Sequence, residues 1–428
     1  MTRRLRSLVS VTASLGAGAI ALALALASLH SCAQPECVVP NYTDPECRVI
    51  VENELARLDA ASGVEVRFVD PRGSDLDWDA LGLVEEPAAG SVRARVASVG
   101  DFALRIRGDA DEARTVDLEL TNVDPRAVLR VGPVGDLDSG ITLPQPGEPL
   151  LRRQLSVDVD AGAEVELRGE LPCPERFTLA FVGDIQTNPT HFERILERIR
   201  EDGEAAADAG APLLGMVIVG DLTEWSNDEE FFKIRALLGN APAPVAVTAG
   251  NHDIFRGAVA IYNSYFGPAN YNFDVCGARV AMIDTASARL ASSIEGRLGE
   301  LVGRGDADLL IMATHYPPHW GLSGDGWSRE DQPQLLLAEL ALAEADLIVA
   351  GHQHALRDSI IHVGGRDLRQ IIVGTGGADQ GLGVARFGYL RLRVDPSAGI
   401  TPCFVEVPPP GWAGPANEPL ASLPYCDT

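Results

Sequence analysis

Lysine is almost missing: Lys233 is the single lysine among 35 basic residues, which face 61 aspartates and glutamates for a net charge of −26. A surface this acidic repels polyanions, so sequence-independent nucleic-acid binding is excluded as the chain's role. The lysine shortage itself reads as codon bias. Cysteine is also scarce, 7 in 428 residues, and no pair has zinc-finger spacing, which excludes a thiolate-held zinc module. No internal repeat, coiled coil or long low-complexity tract is present, so solenoid and fibrous architectures are excluded. What remains is ordinary globular material: 46% of residues are apolar, enough for real cores, and the length has room for two domains.

The one long uncharged run lies at the start. Arg3, Arg4 and Arg6 precede an Ala/Leu-rich stretch from Leu8 to Leu29, after which the chain turns polar. This is the pattern of an export signal. Leu29-His30-Ser31-Cys32 resembles a bacterial lipobox in which Cys32 is acylated, with His30 an unusual second residue. An uncleaved membrane anchor and cleavage without lipidation are the competing readings. Ala33 after the cysteine resembles lipoproteins released to an outer membrane. The expectation is an exported, cell-envelope protein held to the membrane by an N-terminal lipid. The other six cysteines suit an oxidising compartment, and short loops suggest Cys37 with Cys47 and Cys403 with Cys426, leaving Cys173 with Cys276.

The chain divides by texture into a signal peptide (1–31), a tether with Cys and Pro and a short helical segment (32–60), an all-β region (61–172), an α/β region (173–408) and a Pro-rich tail (409–428). In the third part, apolar alternation predicts strands at Val64–Val69, Val92–Val96, Phe102–Ile106, Val116–Leu120, Leu155–Val159 and Val165–Leu167. Turn residues separate them, as in an immunoglobulin-like sandwich.

Five phrases in the fourth part carry the chemistry: GDIQ (183–186), GDLTE (220–224), GNHD (250–253), THYPP (314–318) and GHQH (351–354). Each follows an apolar run that reads as a buried parallel strand: Leu179–Val182, Met216–Val219, Ala243–Thr248, Leu309–Ala313 and Leu347–Ala350. Helical stretches lie between them at Pro189–Ala209, Asp228–Leu238, Ser293–Val302 and Gln334–Glu344. In open α/β sheets, functional groups gather at the carboxyl ends of strands, so the phrases converge on one crevice. Asp, Gln, Asn and His side chains without thiolates suit hard or borderline divalent cations. Any one phrase alone is an ordinary turn. Their order behind five strands favours a metal site.

In that order the phrases resemble the signature of the calcineurin-like metallophosphoesterase superfamily across roughly residues 174–408. The resemblance implies an α/β/β/α sandwich following the smaller all-β domain, and two divalent ions such as Mn, Zn or Fe. It implies Asp184, Gln186, Asp221 and His354 as ligands of the first, and Asp221, Asn251, His315 and His352 as ligands of the second. Asp221 would bridge them. His252 matches the family's non-ligand histidine, facing the substrate phosphate and leaving oxygen, with Glu224 as its orienting carboxylate; Asp253 joins them as a catalytic candidate. The implied reaction is phosphate mono- or diester hydrolysis by a hydroxide bridging the two ions. Gln186 departs from the family, which most often has His there. An amide oxygen is a weaker, harder donor, so the first ion is expected to be labile and to shift toward Mn or Mg. The DRG of phosphoprotein phosphatases and the GDxxY tyrosine of purple acid phosphatases are both missing, which disfavours those subfamilies. The rival expectation is a non-catalytic surface lipoprotein using the same fold as a scaffold. His319 reads equally as a substrate contact or a solvated loop residue, His191 and His362 as structural or exposed, and Gly374–Gly377 as a tight strand exit.

Overall fold

Strands such as Glu65–Val69 and Arg114–Thr121 bury every second residue, and these inward faces close a two-sheet sandwich. The structure, a computed structural model, describes residues 41, 43–60, 63–73, 81–145, 150–256, 261–319, 326–380, 386–412 and 422–426. The proposed signal peptide, Cys32 and Cys37 lie outside them. One sheet runs, in spatial order, Arg57–Asp59, Glu65–Val69, Phe102–Arg107, Glu164–Glu170, Val128–Pro133 and Ile141–Thr142; the other runs Gly82–Ala88, Ser91–Val96, Arg114–Thr121 and Arg152–Val159. Val66, Phe68, Leu104, Ile106 and Leu167 of the first meet Val92, Ala94, Leu118, Leu120 and Val157 of the second in one core. All six expected strands are present. Arg57–Asp59, Gly82–Ala88, Val128–Pro133 and Ile141–Thr142 are additional.

The α/β region contains two sheets face to face. The first has the order Val245–Thr248, Leu213–Val219, Phe177–Val182, Gly388–Asp395, Gly399–Glu406. The second has the order Tyr271–Val275, Ala278–Ile283, Leu309–Thr314, Leu347–Ala350, Arg366–Val373, Leu356–Val363. Their central strands are parallel, with antiparallel hairpins at the edges. Phe177, Leu179 and Phe181 point between the sheets toward Val280, Ile311 and Val349. The intervening Ala180 and Val182 point outward under Phe192, Ile195 and Phe231 of the helices Pro189–Asp208 and Asp228–Leu238. Ile283, Met312 and Ile348 do the same for the second sheet, under Ile294, Leu298, Leu336 and Leu340. Both faces of each central strand are covered, which is why these strands read as unbroken apolar runs.

The stretch expected as one helix over Ser293–Val302 is two short helices, Ser292–Glu295 and Leu298–Leu301, because Gly296 caps the first. The last helix spans Asp331–Leu342 rather than Gln334–Glu344, and a further one, Ile261–Phe266, is present. Pro45–Leu55 forms a helix opened by Asp44, whose side chain accepts from Glu46 N, with proline in the first turn. This helix does not stand clear as a tether: Arg48 and Glu52 are buried against Asp284, Ala269 and Asn270 of the α/β fold.

Disulfides join Cys173 to Cys276, where the chain passes from sandwich to α/β fold, and Cys403 to Cys426, where the tail pairs Tyr425 with Phe404. Cys47 is also disulfide-bonded, with its partner outside the described residues. Such bonds fit an exported protein. Among the described residues, no helix is long and apolar enough to cross a membrane.

Candidate metal centre

Each expected ligand stands just past a strand end. Asp184 follows the strand ending at Val182, Asp221 that ending at Val219, Asn251 that ending at Thr248, His315 that ending at Thr314, and His352 that ending at Ala350. The glycines of the phrases permit this crowding. A Cβ on Gly250 would meet Asp221 Oδ1 at 2.1 Å, and one on Gly351 would meet Asp184 Oδ2 at 2.6 Å. Four of the ligands hold left-handed backbone, with φ of 59° at Asp184, 54° at Asp221, 70° at His352 and 42° at His354. Non-glycine residues adopt this conformation at a cost and concentrate it at functional sites.

Two groups of donors result. In the first, one donor atom each from Asp184, Asp221 and His354 lies within 4.8 Å of the others. His354 Nε2 is 3.4 Å from Asp184 Oδ1 and 3.3 Å from the Gln186 amide nitrogen. In the second, Asn251 Oδ1 is 2.9 Å from His315 Nε2 and 3.0 Å from His352 Nδ1, while His315 Nε2 is 3.3 Å from Asp221 Oδ2. Asp221 therefore belongs to both groups. Gln186 Oε1 is buried with no hydrogen-bond partner, an acceptor that a cation would satisfy.

The surroundings orient these donors. His315 Nδ1 lies 2.9 Å from Val219 O, and His354 Nδ1 lies 2.8 Å from Asp379 O. A carbonyl only accepts, so each Nδ1 carries hydrogen and each Nε2 faces the centre. The backbone N–H of His352 donates to Asp184 at 2.9 Å, and that of His252 donates to Asp221 Oδ1 at 2.9 Å. The His352 ring stacks on Tyr316, centroids 3.8 Å apart. Sequence reasoning passed over Tyr316, though its place directly after His315 was the available signal.

Burial pushes the Asp184 carboxyl up to about 6, with Asp221 adding to the rise against the pull of His315 and His354. Burial opposes charge on His315 as well, but the Asp221 carboxylate and then Asp184 outweigh it and lift the imidazole to about 9. The carboxylates that raise His315 are groups a divalent cation would also draw on.

His252 sits beside the donors without joining them. Its Nδ1 is 3.0 Å from the Glu224 backbone carbonyl and 3.7 Å from the Glu224 carboxylate, so the nearer orienting group is the carbonyl, not the expected carboxylate. Glu224 Oε2 has no hydrogen-bond partner, and burial raises its pKa above the ordinary glutamate value. Asp253, expected among the catalytic residues, instead has its carboxylate occupied: Oδ1 accepts from Leu222 N, Thr223 N and Thr223 Oγ1, each at 3.0 Å, and Oδ2 from Gly250 N at 2.9 Å. It ties the GDLTE and GNHD loops together. His319 is exposed, its backbone bonded to Gln370; His362 is exposed and paired with Asp367; His191 is buried edge-on to Phe387. The Gly374–Gly377 turn supports the first group, since Gly376 N and Ala378 N donate to the Gly183 and Asp184 carbonyls.

A family model described as calcineurin-like phosphoesterase matches residues 177–356. No curated protein matches the chain. Among solved structures, the chain is similar to the purple acid phosphatase PPD1 of yellow lupin (Lupinus luteus), at 14% identity over 72% of this chain and 70% of that one, TM-score 0.46. It is similar to PhoD at 14% identity over 69% of this chain and 82% of that one, TM-score 0.40, and to a dimetal phosphatase of Danio rerio at 11% identity over 52% and 93%, TM-score 0.34.

Proposed function

We propose that this chain, whose residues 177–356 match the calcineurin-like phosphoesterase model, is a metal-dependent phosphoesterase that hydrolyses phosphate mono- or diesters with two divalent cations at the converged strand ends. Asp184, Gln186, Asp221 and His354 would hold one; Asp221, Asn251, His315 and His352 would hold the other. The observation that carries this reading is the place of Asp221: its carboxylate lies within 4.8 Å of the Asp184 and His354 donors and 3.3 Å from His315 Nε2. A dinuclear centre needs such a shared group. When bound, the cations would activate a water nucleophile and neutralise the phosphoryl oxygens. Mn, Zn and Fe all suit the donor set.

The protein's own groups do the rest. His252, its Nδ1 hydrogen held by the Glu224 carbonyl, presents Nε2 for donation of a proton to the departing oxygen. Asp253 holds the two loops on either side in register, which fixes the distance between that proton and the shared carboxylate. The left-handed ligand backbones set the donor geometry before any ion arrives.

The domain limits 61–172 and 173–408, export, and anchoring through acylated Cys32 belong to the same reading, supported by the disulfides and the N-terminal sequence pattern. The test is metal analysis with hydrolysis assays on nitrophenyl and alkyl mono- and diesters before and after chelation. Close to two ions per chain and reversible loss of turnover are expected, with Asp221→Asn depleting both ions together. Full reconstitution with Mn and Zn yielding no bound metal would reject the enzyme in favour of a scaffold.

A further inference from the structure

Eight large apolar side chains are exposed among the described residues, and single ones need no explanation. Two of them, Trp225 at 58% and Phe255 at 49%, stand on the two loops that hold the His252 imidazole. The Phe255 ring lies 4.4 Å from the His252 ring, tilted by 56°. Trp225 directly follows Glu224, whose carbonyl holds His252 Nδ1. Ser226 stitches the two loops together: its hydroxyl donates to His252 O at 2.5 Å and accepts from Phe255 N at 2.7 Å. Ser226 does so with φ at 51°, a strained conformation for a residue with a side chain. Trp225 N is itself fixed, donating at 3.0 Å to Glu230, the residue that completes the capping box of helix Asp228–Leu238. Both backbones are pinned while both rings stand out in solvent.

On the proposed reading, His252 faces the departing group, which puts Phe255 on the leaving-group side of the scissile bond and Trp225 on the loop that orients His252 there. We propose that Trp225 and Phe255 form a stacking clamp selecting phosphate esters whose leaving group carries a planar aromatic ring system, an aryl group or a nucleobase. Aromatic faces bind such groups by stacking, without hydrogen-bond readout and with little entropy lost from a ring already held at its base. The clamp rests on the phosphoesterase reading but makes its own claim, because no ligand atom belongs to either ring.

The full-length, metal-loaded protein tests it. Values of kcat/KM are compared for 1-naphthyl phosphate, a nucleoside 5′-monophosphate and glycerol 2-phosphate, which separates aryl from nucleobase preference. Calorimetry compares naphthylmethylphosphonate with methylphosphonate as non-hydrolysable probes. The expected result is that Trp225→Leu and Phe255→Leu, which keep apolar bulk but remove the ring, each lower the aromatic-to-alkyl ratio about tenfold in both measurements. Trp225→Phe should restore most of it. Unchanged ratios would overturn the clamp, as would a loss confined to binding of phospholipid vesicles, which would make the pair a membrane contact. Absence of turnover on every ester, with the phosphonate preference intact, would count against the proposed function and for the clamp. Active enzyme with equal phosphonate affinities would count the other way.

Discussion

Arg48 and Asp284, 236 residues apart, form a two-pronged ion pair in the interior, with Nε to Oδ2 at 2.7 Å, Nη2 to Oδ1 at 3.0 Å, and both side chains 1% exposed. The pair fastens helix Pro45–Leu55 to the end of strand Ala278–Ile283. Removing one partner leaves a buried charge uncompensated, at a cost of about 3–5 kcal/mol. Arg48→Met should therefore lower denaturant stability by that order, and Arg48→Met with Asp284→Asn should recover much of it. Equal stability of wild type and Arg48→Met in urea melts would show the helix to be dispensable.

Next to this pair, Glu52 carries a pH dependence. Burial first, and Asp284 second, raise its pKa to about 8 against the contrary pull of Ala269 N and Arg48. The folded state holds a proton that the unfolded chain has already released, so stability is greatest at acid pH and falls as pH rises toward about 8. The slope from this group is at most about 1.4 kcal/mol per pH unit. Glu52→Gln should flatten that part of the stability curve and raise the melting temperature more at pH 8 than at pH 5. Parallel curves for the two proteins would assign the dependence elsewhere.

Gln186→His should tighten the first cation and move its preference from Mn toward Zn, because imidazole is the softer and stronger donor. Asp184 and His354 keep their positions, so the fold should not change. Side-by-side metal titrations decide it, and identical isotherms would remove Gln186 from the ligand set.

His252→Ala should retain the cations while losing about a hundredfold in turnover on alkyl esters. Nitrophenyl esters need no proton on leaving, so their loss should be smaller. Equal losses on both would leave His252 only an electrostatic part.

The centre was readable from sequence because its ligands are local to motifs. Each stands one to four residues past a strand buried on both faces, and the glycines among them are dictated by contacts such as that between Gly250 and Asp221. The direction of Asp253 was not legible in GNHD; the fold turns its carboxylate toward Leu222, Thr223 and Gly250. Gly82–Ala88 escaped notice as an edge strand carrying Glu85, Glu86 and Pro87, which blur its alternation. The Arg48 and Asp284 pair was invisible for another reason: nothing local marks a partner 236 residues away.

The Cys173–Cys276 bond closes a span of 103 residues that contains Asp184, Gln186, Asp221, Asn251 and His252, but not His315, His352 or His354. A protease that cuts once within that span produces two polypeptides that still travel as one molecule. A cut after Asp184 leaves each fragment with part of the donor set. An exported enzyme built this way keeps its pieces together when nicked, and separating them takes a reductant together with unfolding of the shared core.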